Sequence, residues 1–288
     1  MNKVGIIGYG FVGEATAKGF SSSKKNQVFW YDKYKKCLNT LDEVIKNSEF
    51  IFVCVPTPVY KDYSGVNQEI IKSVISEVAP KISGTEKILI IKSTSLPGSL
   101  NSFIKKYPKV NFATNPEFLT QKDANKDFLD PARTIIGVKD KKVGERIEKL
   151  YETILPKDQK YFITDPVSAE LAKYMSNLML ASKILIANEF YDVAVKTGAN
   201  YDDVYKMVEA DPRIGSHLKV PGTDGERGFG GACFPKDMVG LLSFAKAKGV
   251  DASALNCVWE KNLKIRKVKD WEEMDNAFGR GSSKGKKK

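Results

Sequence analysis

The stretch GFGGACFPKD (228–237) sets Cys233 behind three glycines and directly ahead of the helix-forming PKDMVGLL. An inert core thiol needs no such flexible backbone beside it. At a helix start, the dipole and Lys236 both favour the thiolate, the form that attacks carbon. Gly228, Gly230 and Gly231 would let a substrate and a cofactor approach the backbone. The competing reading is a buried, unreactive thiol. Cys37, Cys54 and Cys257 lie in apolar or helical runs without such neighbours and read as inert. The single histidine, His217, excludes a two-histidine mechanism or a His-rich metal site, so no metal is expected. Beside a loop, it reads as a surface or packing residue, and other groups must move protons. Lys173 and Asn177 stand four apart on a helical stretch and so share a face. A cation and an amide so placed could donate together to an oxyanion, or could simply form a solvated face. Thr94 in KSTSLPG and Glu117 in NPEFL end strand-like runs, at the sheet edge where ligands of open α/β sheets sit.

The elements that must carry these groups fall into two textures. Up to about residue 160, KVGIIGYG, QVFWYD, FIFVCVPT, KILIIKST, VNFATNPEF and RTIIGV are continuous apolar runs between polar helical stretches. Such runs predict parallel strands buried on both faces, in a Rossmann-type doubly wound α/β domain. Its first turn, GYGFVG, carries Gly8, Gly10 and Gly13 between strand and helix, the arrangement that brings a pyrophosphate to helix N–H groups. Asp32, at the end of the second strand, is placed to hold a ribose 2′-hydroxyl and to repel a 2′-phosphate, which favours NAD over NADP. From there on the texture is all helix. Asp165 caps and Pro166 opens a long helix that stops at Gly198, and NYDDVYKMVEA, KDMVGLLSFAKAKG and SALNCVWEKNLKIRKVKDWEEM follow. A rod this long links lobes or forms an oligomer interface. The expected division is residues 1–163 as the NAD-binding domain, 164–268 as an all-helical domain with one long central helix, and 269–288 as a disordered basic tail.

Composition narrows the function classes. The chain has 288 residues, 42% of them apolar, enough for real cores, and four cysteines without C-x-x-C spacing. It starts on a strand-like run rather than a signal segment, so the expected compartment is the reducing cytoplasm. Apolar runs fall short of the ~20 residues that span a bilayer. Of the net charge of +11, five charges lie in RGSSKGKKK (280–288), leaving +6 on the remainder. That distribution argues against a nucleic-acid role and for phosphorylated metabolites.

Taken in order and spacing, GYGFVG, PTP (56–58), KST (92–94), NPEFL (115–119), ELAKYMSN (170–177), DPRIG (211–215) and GFGGACFPKD resemble the UDP-glucose/GDP-mannose dehydrogenase family over residues 1 to 265. The resemblance implies two successive oxidations at C6 of a nucleotide sugar, with two NAD reduced and Cys233 as the nucleophile that carries a thiohemiacetal and then a thioester. It assigns Glu117 and Asp237 to proton handling, Thr94 to positioning water, and Lys173 and Asn177 to the oxyanion. Cofactor contacts carry over to Gly8, Gly10, Phe11, Val12, Gly13, Asp32, Thr57, Thr94, Gln121 and Lys236. Substrate contacts carry over to Glu117, Phe118, Leu119, Lys173, Asn177, Arg213, Lys219 and Gly230. Arg213 matches an arginine that in some members reaches across a subunit interface, which makes a homodimer or higher oligomer the expectation.

The chain also departs from the family pattern. No strands follow DWEEM to build the second α/β domain that usually clamps the nucleotide, so a short form is expected, with weaker or broader substrate binding. Gln121 stands where many relatives carry a glutamate, TDGER (223–227) lengthens the loop before the cysteine, and Cys37 stands where a basic phosphate contact is common, with Lys35 or Lys36 to replace it. Two rivals remain open: a β-hydroxyacid dehydrogenase-like enzyme, which needs no cysteine nucleophile, and a non-catalytic cofactor or nucleic-acid binder on the same scaffold.

Overall fold

Short apolar strands alternate with helices through the first half of the chain, in a computed structural model that describes residues 1–120 and 123–274. In order they are β1 (Asn2–Ile7), α1 (Phe11–Ser21), β2 (Asn26–Tyr31), α2 (Leu41–Asn47), β3 (Phe50–Val53), α3 (Glu69–Ile82) and β4 (Ile88–Ile91). Then come α4 (Ser99–Lys106), β5 (Asn111–Thr114), α5 (Ala124–Leu129), β6 (Thr134–Val138), α6 (Lys141–Tyr151) and β7 (Tyr161–Thr164). The strands form one sheet in the order β2-β1-β3-β4-β5-β6-β7. The chain runs outward from β1 to β2 and then returns to β3 on the other side, so the topological switch point lies between β1 and β3. Successive strand residues feed opposite faces. Val4, Ile6, Phe52 and Ile90 pack with Phe20, Phe128 and Ile147 on one side. Ile7, Ile51, Val53 and Leu89 pack with Val44, Ile75 and Phe103 on the other. Burial on both faces is why these strands read as continuous apolar runs.

Two expectations for the sheet need correction. The pairing is not parallel throughout, because β6 runs antiparallel to β5, with Ala113 opposite Val138 and Thr114 opposite Gly137. The texture after residue 160 is not purely helical either. β7, the four residues YFIT, extends the sheet in parallel beside β6. At the sheet edge its side chains stay largely half-exposed, so it lacks the apolar signature of the buried strands.

The chain divides into two compact units, Met1–Thr57 with Gln68–Lys173, and Pro58–Asn67 with Tyr174 onward. Helix α7 (Pro166–Thr197) starts in the first and continues in the second. Its ends are fixed by local chemistry. Asp165 Oδ1 accepts from Ser168 N at 3.0 Å, and Ala199 N closes on Ala194 O at 2.9 Å past Gly198, whose φ is +77°. Its 32 residues give a rod of about 48 Å at ~1.5 Å per residue.

In the second unit, α8 (Tyr201–Glu209), α9 (Phe234–Ala247) and α10 (Ser253–Ile265) follow. Leu178, Ala181 and Leu185 of α7 pack with Phe229, Met238, Trp259 and Trp271. Beyond them α7 leaves Met175, Met179, Ile186, Phe190 and Val193 exposed. The last helix is shorter than its sequence suggests. α10 stops at Ile265 because Arg266 turns extended, with ψ 122°, and is buried on two aspartates. A 3-10 turn, Asp270–Glu272, then carries the fully buried Trp271, so residues 269–274 are packed into this unit rather than into a tail. The remainder of the expected tail, including 280–288, lies outside the described residues.

Candidate active site

The end of β1 meets the end of β3 at the switch point, where Cys54 N donates to Ile7 O at 2.8 Å. The turn there has no room for a side chain at Gly8 or Gly13. A Cβ on Gly13 would stand 1.9 Å from Gly8 O, and one on Gly8, at φ +92°, 2.7 Å from Cys54 O. Gly10, which caps α1 without a side-chain partner, has open space where a Cβ would point. Asp32 is tied to the same turn, its carboxylate accepting from Tyr9 N at 2.7 Å and Tyr34 N at 2.8 Å. A helix N-terminus with a clear cradle and an acid beside it fits a dinucleotide, with phosphates toward Gly10–Gly13 and a ribose toward Asp32. Phe11 and Val12 form the first turn of α1. Lys35 Nζ donates to Tyr9 O at 2.6 Å, which keeps a cation at this edge.

Thr57, Thr94 and Glu117 follow β3, β4 and β5, at the carboxyl ends of the strands. Thr57 is buried and Thr94 half-buried, and the hydroxyl of the adjacent Ser93 donates to Val55 O at 2.7 Å, holding KST against PTP. Glu117 is buried with Lys173, whose Nζ donates to the Glu117 carbonyl at 2.5 Å and to its carboxylate at 3.2 Å. The other carboxylate oxygen accepts from Leu119 N at 2.7 Å. Two cations approach the Phe118 ring, Arg133 at 4.1 Å and Lys173 at 5.2 Å from its centroid. Lys173 is thus a buried partner of Glu117 rather than part of a solvated helix face.

Cys233 is the N-cap of α9, half-buried, with Pro235 in the first turn. That turn holds a buried triad. Asp237, fully buried, accepts from Asn177 Nδ2 at 2.6 Å and pairs with Lys236 Nζ at 2.5 Å. The second unit therefore brings together Cys233, Lys236, Asp237 and Asn177, and the first brings together Glu117, Phe118, Leu119 and Lys173. The thiol stands at the positive end of the α9 dipole, and the Lys236 ammonium in the same first turn is paired with Asp237. Cys54, by contrast, is pushed up to about 12 by burial and stays a thiol. Arg213 is exposed and paired with Asp211 at 2.6 Å, while Lys219 and His217 are exposed. Gln121 lies outside the described residues.

Three features were not anticipated from sequence. Glu170, one turn before Lys173, is buried and accepts from Gly98 N, Leu100 N and Ser95 Oγ at 2.6, 3.0 and 3.0 Å. Burial raises its carboxyl to about 7, against the lowering effect of those donors. Lys92, fully buried, donates to Asn115 Oδ1 at 2.8 Å, and Tyr151 donates to the same oxygen at 2.6 Å. Burial lowers Lys92 to about 8. Asn115 anchors the NPEFL segment that presents Glu117. The third feature is the set Asn262, Arg266 and Asp270 around the glycine loop. An acid in an apolar helical stretch and the lysine of KST were visible signals for the first two; nothing in the spacing marked the third.

Residues 32–155 match the NAD binding domain of the UDP-glucose/GDP-mannose dehydrogenase family, and residues 167–264 match its central domain. The chain belongs to that family. The NAD-binding match begins at Asp32, and Gly8–Gly13 precede it in the same compact unit. The chain is 36% identical over 231 residues to a UDP-glucose 6-dehydrogenase of Rickettsia felis, covering 79% of this chain and 50% of that protein. It spans about half the length of the curated relatives it matches. A UDP-glucose dehydrogenase structure from Pyrobaculum islandicum superposes with a TM-score of 0.81 at 26% identity, over 92% of this chain and 68% of that one. A 3-hydroxyisobutyrate dehydrogenase of Mycobacterium tuberculosis shares the fold, with a TM-score of 0.73 at 16% identity, over 92% and 93%. No helix among the described residues is long and apolar enough to cross a membrane.

Proposed function

We propose that this member of the family oxidises the C6 alcohol of a nucleotide sugar to the acid, with UDP-glucose as the first candidate, through a covalent intermediate on Cys233. The observation that carries this reading is Cys233 at the head of α9 with Lys236, Asp237 and Asn177 in buried contact in the turn behind it. Bound NAD accepts a hydride in each of the two oxidations. Between them the Cys233 thiolate adds to the C6 aldehyde, forming a C–S bond and placing negative charge on the former carbonyl oxygen. Preorganised donors lower the energy of such an oxyanion by a few kcal/mol, and Asn177 and Lys173 are the groups assigned to it. Loss of hydride from C6 leaves a thioester. Water then adds, the C–S bond breaks, and the thiolate is restored with a carboxylate product. Glu117 and Asp237 handle the protons and Thr94 orients the water. Overall, alcohol, water and two NAD⁺ give carboxylate, two NADH and three protons. Covalent capture keeps the aldehyde from escaping between the oxidations.

The homo-oligomer is proposed on separate grounds. Met175, Met179, Ile186, Phe190 and Val193 form an exposed apolar stripe along α7, of the kind a second copy covers. Sedimentation of wild type against Met179→Glu with Phe190→Glu should show the variant moving to a smaller species.

The functional reading is tested with purified protein, NAD and a panel of nucleotide sugars, counting NADH per sugar. Two NADH per sugar and a uronate product are expected, and a Cys233→Ser variant should form no acid. One NADH per substrate, insensitive to Cys233→Ser, would favour the β-hydroxyacid dehydrogenase chemistry whose fold this chain shares.

A further inference from the structure

The loop that leads to Cys233 is short and rich in glycine, and therefore loses more conformational entropy on ordering than any other composition would. A nucleophile must nevertheless be held to within about 0.5 Å of its working position. What restrains this loop is a separate stretch of the same unit. Asn262 on α10 holds both backbone polar groups of one residue, accepting from Phe229 N at 2.8 Å and donating to Phe229 O at 3.0 Å. Arg266, almost fully buried, pairs with Asp224 at 2.8 Å on the loop's N-terminal side and with Asp270 at 3.0 Å. The second oxygen of Asp270 accepts from Gly231 N at 3.0 Å, two residues before the thiol. Gly230 is a glycine because the guanidinium lies where its Cβ would go, 2.2 Å from Nη2. The end is anchored by Trp271, fully buried against Trp259, with Nε1 3.3 Å from the Tyr63 hydroxyl. That hydroxyl in turn donates to Glu272.

We propose that residues 262–272 are a strap that fixes the glycine loop and thereby sets the position and reactivity of Cys233, with Arg266 as its positioning residue. The catalytic part of this inference rests on the reading of Cys233 as nucleophile; the mechanical part does not. Arg266 Nη2 joins Asp224 of the loop to Asp270 of the strap while its Nε donates to Val268 O at 2.9 Å, a set of contacts that a single lysine ammonium does not reproduce.

The test uses the full chain and three variants: Arg266→Met, Arg266→Lys and the milder Asp270→Asn. Hydrogen exchange of peptides covering 224–233 is followed alongside peptides from β1–β3, together with the iodoacetamide alkylation rate of Cys233 relative to exposed Cys257. Exchange at 228–233 should rise at least tenfold in Arg266→Met, with β1–β3 unchanged and the Cys233 alkylation rate altered at least threefold. Arg266→Lys should fall between it and wild type, and Asp270→Asn should raise exchange at Gly231. In turnover, kcat should drop about tenfold or more while KM for NAD stays within twofold, since all the expected cofactor contacts but Lys236 lie outside this unit and none lies on the strap or its loop. Should Arg266→Met fail to fold, Asp270→Asn decides alone. Unchanged exchange and alkylation in the folded variants would overturn the strap. Faster exchange and altered alkylation in a protein with no nucleotide-sugar turnover would keep the strap and remove the catalytic reading instead.

Discussion

Two glycine loops, one in each unit, precede a helix N-terminus, and their glycines serve opposite ends. In Gly8–Gly13 the crowding comes from backbone, Gly8 O at Gly13 and Cys54 O at Gly8, and the remaining direction, at Gly10, faces open space. In Gly228–Gly231 the crowding comes from side chains of the same unit, Asn262 at Gly228 and Arg266 with Asp270 at Gly230. In the proposed reading the first loop is emptied so that a phosphate from outside can approach backbone N–H groups. The second is emptied so that the protein's own strap can grip the backbone next to its thiol. A run of glycines before a helix therefore does not by itself mean a ligand cradle; what occupies the missing Cβ decides.

Alanine at each position breaks or sharpens that contrast. The largest effect is expected at Gly13→Ala, where the new methyl would meet backbone at 1.9 Å. It should cost about 4 kcal/mol in urea unfolding and abolish NAD binding. Next comes the way each unit anchors its loops. Glu170 staples the 95–100 segment with a lone buried carboxylate, whereas Asp224 shares Arg266, whose hydrogen bond holds it below the ordinary carboxylate range despite burial. Because the Glu170 carboxyl is raised to about 7, its contribution to stability is present below the unfolded value and is lost as pH rises through 7. Wild type minus Glu170→Gln should therefore fall by about 3 kcal/mol between pH 4 and 8. The Asp224 contribution has the opposite sign, present at neutral pH and lost in acid. Gly230→Ala, which displaces a buried, doubly paired guanidinium, should cost about 2 kcal/mol and leave NAD affinity unchanged. The smallest stability effect, under ~1 kcal/mol, belongs to Gly10→Ala, yet it should weaken NAD binding at least tenfold by calorimetry. If Gly10→Ala spared NAD and Gly230→Ala removed it, the roles assigned to the two loops would be reversed.

The same contrast explains what could be read in the sequence. Gly8, Gly10, Gly13 and Asp32 follow a local pattern of strand, turn and helix, and the ends of α7 are written in Asp165, Pro166 and Gly198. Glu117 and Lys173 are far apart in the chain, and each was visible only by its place on an element; their buried contact was not. β7 was missed because an exposed edge strand lacks the apolar run, and the reversed direction of β6 leaves no mark in composition. The end of α10 was missed because helix-forming residues continue through KVKDWEEM, and only the tertiary pairing of Arg266 with Asp224 and Asp270 stops it. The strap has no sequence period at all. Its signal was the glycine loop, read as space for a ligand.

The proposed double oxidation depends on a covalent bond to one sulfur. The direct measurement is acid-quenched peptide mass spectrometry of the protein mixed with NAD and a nucleotide sugar that it turns over. A sugar-nucleotide adduct is expected on the 228–236 peptide at Cys233, raised in Glu117→Gln as hydrolysis slows, and none in Cys233→Ser. Acid formed at the wild-type rate by Cys233→Ser, with no adduct in any variant, would contradict it.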